Sequence, residues 1–449
     1  MSRHINMTTG KPLRLLFSFA LPLMFGNVFQ QLYTVVDTAI VGQGVGMEAL
    51  AALGSVDWLN WMLLGIAQGY TQGFSVRIAQ KFGEGDMKGL RQTAGQSALL
   101  SAVIAIVCTV AIQLTLPWIL QLLRVPEELK AMATLYTRVL MAGLPAVVFY
   151  NYCASVLRAV GDSRTPLMAM VVAALTNIAL DLVAVFLLDW GVAGAAAATV
   201  VAQCLSGVIC AAKIRNTPGL HFGKENLVPK GENCGDLARI GSPVAAKNMI
   251  IAIGGMVIQS IVNGFDLSFI AGFTATNKLY GLLEIAAISY GYAVTTYVGQ
   301  NYGAGLISRI RSGVRSAAVL SLLTSFVIAA VMILFGRPIT MLFISAEDAA
   351  LVASAGETAY RYLCVMSVSL PVLYLLYVFL SALQGLGRTV STMVSGIVEF
   401  LLRVGFSMLV GWSGYQNGIF GAEVSAWFGA AAFLSVSYLH YIRKLQKDQ

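Results

Sequence analysis

Acidic side chains within apolar sequence are where this chain could do chemistry. Asp37 stands in LYTVVDTAIVG, Leu32 to Gly42, and no Lys or Arg occurs between Arg14 and Arg77 to neutralise it. Asp181 stands in TNIALDL, four residues after Asn177, a spacing that puts the amide and the carboxyl on one helix face. An ionised carboxylate alone in an apolar medium is costly, so it pairs, or takes up a proton or a cation. Thr199 and Tyr136, in two other apolar segments, add hydroxyl oxygens. Two carboxylates sharing a dry pocket with such groups can hold a proton or a sodium ion reversibly. The same residues can instead make a fixed polar knot, with one acid permanently protonated and bonded to Asn177 or Thr199. The absence of a basic residue from the group favours reversible ion binding over a static ion pair.

These residues need elements that hold them inside a membrane. Of the 449 residues, 57% are hydrophobic and 11% charged, with a mean hydropathy of +0.76. Soluble domains carry about 25% charged residues, so the composition is that of an integral membrane protein. A spanning helix needs about 20 mostly apolar residues. Breaking the chain at charged, Gly and Pro clusters predicts twelve spans: 13–42, 50–76, 92–122, 131–158, 164–188, 191–212, 237–264, 268–300, 310–336, 356–385, 389–411 and 418–442. With the N-terminus inside, 21 of the 29 Lys and Arg fall in cytoplasmic segments. Arg124, Lys130, Arg138, Arg337 and Arg361 fall outside, and Lys247, Lys278 and Arg403 lie within spans. That asymmetry predicts a multi-pass protein of the cytoplasmic membrane, with both termini in the cytoplasm. It also explains the net charge of +8 without nucleic acid as a partner. At 1.5 Å per residue, Asp37, Tyr136, Asp181 and Thr199 lie about 7.5, 9, 12 and 13 Å below the outer ends of their spans. Four spans thus bring oxygen-bearing side chains to one depth in the outer half of the first bundle.

The two halves of the chain repeat. IAQKFGEG from Ile78 matches VGQNYGAG from Val298, a shift of 220. LPAVVFYNYCASVLRAVGD matches LPVLYLLYVFLSALQGLGR at a shift of 226, and GVAGAAAA matches GIFGAEVS at 227. Six spans per half is an even number, so the repeats are parallel, related by an axis along the membrane normal. The expected fold is an all-α polytopic membrane protein of twelve helices in two parallel six-helix bundles. Its expected divisions are an N-terminal bundle over 1–214, a cytoplasmic linker over 215–235 and a C-terminal bundle over 236–449. Pro22 and Pro243 hold matching positions in the first and seventh spans, where each removes a backbone donor and can bend its helix, as a fixed kink or as a hinge.

The second half offers different chemistry. Glu399 and Arg403 are four residues apart with Glu first, a favourable pair within one helix. Glu284 and Lys278 are six apart and occupy different faces. Glu284 is the best candidate for a carboxylate that meets a cationic substrate, against the alternative of pairing with Lys278 or Lys247. The six cysteines form no CxxC, most of them lie in apolar spans, and His4, His221 and His440 are scattered, so no metal-ligand spacing occurs. No phosphate loop or nucleophile motif lies in a span, which argues against a membrane enzyme. No cofactor is expected beyond a coupling ion.

Four stretches together resemble the multidrug and toxic compound extrusion (MATE) family, most closely its DinF/MepA-like branch. They are LYTVVDTAIVG in the first span, IAQKFGEGD after the second, VLRAVGDSRTP after the fourth and TNIALDL in the fifth. The resemblance implies a monomeric secondary antiporter that exports amphipathic organic cations in exchange for protons or sodium. It implies an ion site in the N-terminal bundle at Asp37, Asn177, Asp181 and Thr199, with Tyr136 beside it. An eighth-span acid such as Glu284 is linked to substrate handling in that branch. Acids matching a C-terminal sodium site in the seventh and tenth spans are lacking, since Asp236, Glu347, Asp348 and Glu357 fall at or beyond span ends. The alternative within the wider superfamily is a flippase for lipid-linked precursors, which Lys247, Lys278 and Arg403 would suit.

Overall fold

The computed structural model describes residues 5–123, 125–341 and 349–447. His4, Arg124, Glu347 and Asp348 lie outside these ranges. The described residues form fourteen α-helices and no strand. The first half contains α1 (Pro12–Gly44), α2 (Met47–Glu84), α3 (Met87–Leu122), α4 (Glu127–Ala142), α5 (Leu144–Ala159), α6 (Arg164–Leu182) and α7 (Gly191–Arg215). The second contains α8 (Gly231–Val262), α9 (Leu267–Leu283), α10 (Ile285–Gly303), α11 (Ile307–Met341), α12 (Ala349–Gly385), α13 (Thr389–Ser413) and α14 (Phe420–Lys447). Ten helical stretches are each long and apolar enough to cross a membrane, and α4 with α5, bent by 43°, makes an eleventh. The helices α9 and α10, parted only at Glu284, occupy the stretch read from sequence as the eighth span, 268–300.

Local chemistry explains the breaks. The α4–α5 bend falls at Gly143, where any Cβ would collide with Val200 of α7. Left-handed glycines end the matching helices of the repeat: Gly85 (φ 74°) and Gly305 (φ 70°) in one pair, Gly161 (φ 90°) and Gly387 (φ 74°) in the other. Only glycine takes that conformation without cost, which is why the repeated motifs keep it. After Gly85 the Asp86 carboxylate accepts the Gly89 amide at 2.8 Å and caps α3. Along α3, Val103, Ile106, Val107, Val110 and Leu114 are exposed while Ser97, Ser101 and Ala105 are buried. The apolar stripe is the face lipid would cover, and the small polar residues pack inward.

The chain divides into two compact units that are discontinuous in sequence. The first holds Met1–Asn6 and Leu21–Met249; the second holds Met7–Ala20 and Ile250–Gln449. This differs from the division at 215–235 read from composition. The linker and the first half of α8 belong to the first unit, where Gln96 donates to the Val228 carbonyl (3.1 Å). The cause is a ladder of glycines on α2. Gly65, Gly69 and Gly73, each four residues apart, let the α8 backbone approach until a Cβ at Gly69 would sit 2.6 Å from Ala245 Cα, and one at Gly73 2.5 Å from Gly241 Cα. Asn248 donates to the Gly65 carbonyl at 2.8 Å, and Arg77 pairs with Asp236 at 3.4 Å. In the second unit the backbone of Met7 and Gly10 is tied down instead. Gln300 accepts the Met7 amide at 3.0 Å, Asn301 donates to the Met7 carbonyl at 3.0 Å, and Arg309 donates to the Met7 and Gly10 carbonyls. The chain therefore passes between units within α1, next to Pro22, and within α8, six residues past Pro243. Both prolines lie inside continuous helices.

Candidate functional site

The first unit gathers Asp37 from α1, Tyr136 from α4, Asn177 and Asp181 from α6 and Thr199 from α7. Asp181 and Asn177 are 0% and 1% exposed, and Asp37 is half-buried. Asn177 Nδ2 donates to Thr199 Oγ1 in a long bond of 3.4 Å. The Asp37 and Asp181 carboxyl groups are close enough to interact directly. The Tyr136 phenol lies within electrostatic reach of both, and of Asp57 and Tyr33. Five residues from four helices, spread over 163 positions from Asp37 to Thr199, thus meet around one spot.

The hydrogen bonding around that spot is incomplete. Among the described residues, Asp37 Oδ1, Asn177 Oδ1 and both carboxyl oxygens of Asp181 are buried with no hydrogen-bond partner. Buried polar atoms are nearly always satisfied, because an unmet one costs about 1–3 kcal/mol. These four oxygens, on three side chains of neighbouring helix positions, form a set of acceptors alone. Protons or a small hard cation suit it, and a further hydrogen-bond acceptor does not. The helix carrying Asp181 changes pitch directly after it: α6 runs into a π-helical turn at Val183–Leu187, closed by Leu188 N to Val183 O (3.0 Å). Such wide turns occur frequently at functional sites.

Three further residues belong to this neighbourhood and escaped the sequence reading. Tyr33, one turn from Asp37 on α1, makes side-chain contacts with Gln30, Gln203 and Thr34. Gln203, one turn from Thr199 on α7, is 8% exposed. Asp57 on α2 carried the same signal as Asp37, an acid inside an apolar span.

In the second unit Glu284 is the single residue between α9 and α10, and its carboxylate accepts the Tyr377 hydroxyl at 3.1 Å. Arg403 is 4% exposed and its Nη2 meets Glu423 Oε2 on α14 at 2.6 Å. The ion partner is thus on the neighbouring helix, with Glu399 one turn away still in electrostatic reach. Arg403 lies 226 residues after Asn177, the shift of the repeat, so the second unit holds a guanidinium–carboxylate pair where the first holds the amide of its oxygen cluster. Asn151 on α5 donates to the Val147 carbonyl of its own helix (2.9 Å).

The MatE family model matches residues 22–183 and 243–409, one segment in each half, the first beginning at Pro22 and the second at Pro243. The chain belongs to the MatE family. It is 28% identical over 439 residues to the probable multidrug resistance protein YpnP of Bacillus subtilis, covering 96% of each chain. It is 25% identical over 397 residues to the FAD transporter of Shewanella oneidensis, covering 87% of this chain and 86% of the relative. A crystal structure of a MATE protein in complex with MaL6 superposes with a TM-score of 0.91 at 24% identity, over 100% of both chains. This MatE chain is therefore a multi-span membrane transporter built on the twelve-helix MATE fold.

Proposed function

We propose that this MatE protein exports amphipathic organic cations across the cytoplasmic membrane by exchanging them for protons or sodium at Asp37 and Asp181. The observation that carries the proposal is the set of four buried oxygens without hydrogen-bond donors at Asp37, Asn177 and Asp181. A coupling ion that enters from outside completes the set, and its arrival or departure changes how α1, α6 and α7 hold together. Thr199 holds the Asn177 amide, and Tyr136 stands beside the carboxylates as a hydroxyl that can follow their charge. Both termini lie in the cytoplasm, as the distribution of Lys and Arg argues. The protein acts as a transporter rather than an enzyme, and as a monomer. Glu284, at a break in a span and bonded to Tyr377, supplies a carboxylate for a cationic substrate. Pro22 and Pro243, close to the two points where the chain passes between units, serve as hinges.

A flavin dinucleotide or a lipid-linked pyrophosphate would be anionic and would need free cationic groups. Arg403, one of three basic residues placed within spans, is already engaged with Glu423, which weighs against the flippase reading. Purified protein reconstituted into vesicles tests the proposal, with sodium and pH gradients imposed separately and efflux of a cationic dye recorded. Gradient-driven efflux is expected to stop in Asp37→Asn and in Asp181→Asn while both variants still insert. Normal gradient-driven efflux by Asp37→Asn would refute the assignment.

A further inference from the structure

The coupling site lies near one end of its helices, yet an exchanged ion has to leave toward the other. On α1, Asn27, Gln30, Tyr33 with Thr34, and Asp37 follow at intervals of three or four residues, which sets amide and hydroxyl groups along one face. This polar line runs about 15 Å from Asp37 toward the start of α1. On α7, Thr199, Gln203 and Ser206 follow at the same intervals. The two helices are antiparallel in sequence direction, so both lines descend from the Asp37–Asp181 site toward the same membrane face. They meet one turn below the site, where Tyr33 contacts the Gln203 side chain and Gln30. Gln203 is 8% exposed, and its Oε1 has no hydrogen-bond partner among the described residues. Hydrophobic residues would pack this level of two membrane-spanning helices at lower cost, so a buried amide with an unmet oxygen needs a reason.

We infer that Tyr33 and Gln203 form the inner gate of the coupling site, solvating the proton or sodium ion as it leaves Asp37 and Asp181 for the cytoplasm. The inference rests on the coupling-site reading above and adds the direction and the residues of release. The Gln203 Oε1 and the Tyr33 hydroxyl supply oxygens one turn inward of the carboxylates. An ion stepping off Asp37 then meets a polar group about 6 Å further along α1 rather than hydrocarbon. Gln30 and Asn27 continue the file toward water. Tyr33 and Gln203 are positioning residues in this scheme: they hold no ion at rest and govern how quickly it departs.

The test separates loading from release in the full-length protein. Ion loading is read as the midpoint of the tryptophan fluorescence change on titrating sodium or protons, and release as the turnover of ion-driven dye efflux from vesicles. In Tyr33→Phe, in Gln203→Leu and in the double variant, loading is expected to stay within about twofold of wild type while turnover falls about tenfold. Gln203→Asn, which keeps an amide oxygen, is expected to recover part of the loss. Wild-type turnover in the double variant overturns the inference. A loss of loading and turnover in equal measure overturns it too, since that pattern marks a structural cross-link. Asp37→Asn is run in parallel and is expected to lose loading itself. If it does not, the coupling-site reading fails and the gate falls with it, whereas a failure confined to Tyr33 and Gln203 leaves that reading intact.

Discussion

Replacing Gly69 by alanine adds one methyl group at the point where α2 and α8 lie closest. The new Cβ would stand 2.6 Å from Ala245 Cα, 2.8 Å from Ala245 N and 3.1 Å from Val244 C. All three are backbone atoms, so no side-chain rotation relieves the overlap. Carbon atoms rest at about 3.5–4 Å, so the helices must separate by about 1 Å, which forfeits a quarter to a half of the dispersion energy along the contact. The Asn248–Gly65 bond, 2.8 Å long, would lengthen toward breaking, at a cost of about 1 kcal/mol. Together with the strain of overpacking, the expected destabilisation is about 1–3 kcal/mol. Gly54 is the matched control on the same helix, because a Cβ there meets nothing within 4 Å. Gly54→Ala is expected to stabilise by up to about 1 kcal/mol through helix propensity. Thermal unfolding of both purified variants in detergent compares them directly. If Gly69→Ala melts as high as Gly54→Ala, the first half of α8 is not clamped to α2, and the placement of residues up to Met249 in the first unit loses its explanation.

Two more outcomes follow from the same geometry. Arg403→Met and Glu423→Gln, taken singly, each remove one partner of a buried ion pair and are expected to cost about 3 kcal/mol, while the double variant recovers most of that loss, as a double-mutant cycle of unfolding will show. Asp86→Ala, which deletes the cap of α3, is expected to cost about 1 kcal/mol near neutral pH. The Gly89 amide, more than any other neighbour, holds the Asp86 carboxyl below its ordinary value. A lowered folded value contributes stability above the ordinary pKa of about 3.9. The gap between wild type and variant should therefore close as pH falls below that range, and a gap that persists in acid would refute the cap.

The membrane class, the twelve spans and the duplication were legible because each depends on composition and period along the chain. A span is an apolar run of sufficient length whatever its neighbours do. The acids Asp37 and Asp181 stood out for a related reason: a charge inside such a run is costly anywhere in the fold. The ion partner of Arg403 was not. The i, i+4 spacing pointed to Glu399, yet Glu423 on α14 is closer, because packing of two helices sets the distance between them. Gln203 and Tyr33 carry no unusual charge, so nothing in their own segments marked them.

The unit boundary shows the division most clearly. Composition put it in the polar segment 215–235, where the chain is least apolar. The structure puts it within α1 and within α8, because the glycine ladder of α2 admits one backbone and the Gln300, Asn301 and Arg309 side chains hold another. The order of residues alone determined which stretches enter the membrane and which carry ionisable groups there, since transfer free energy is a property of each segment. Only the tertiary structure decided which of those groups meet and to which unit each half-helix belongs, since close approach depends on the shapes of surfaces far apart in the chain.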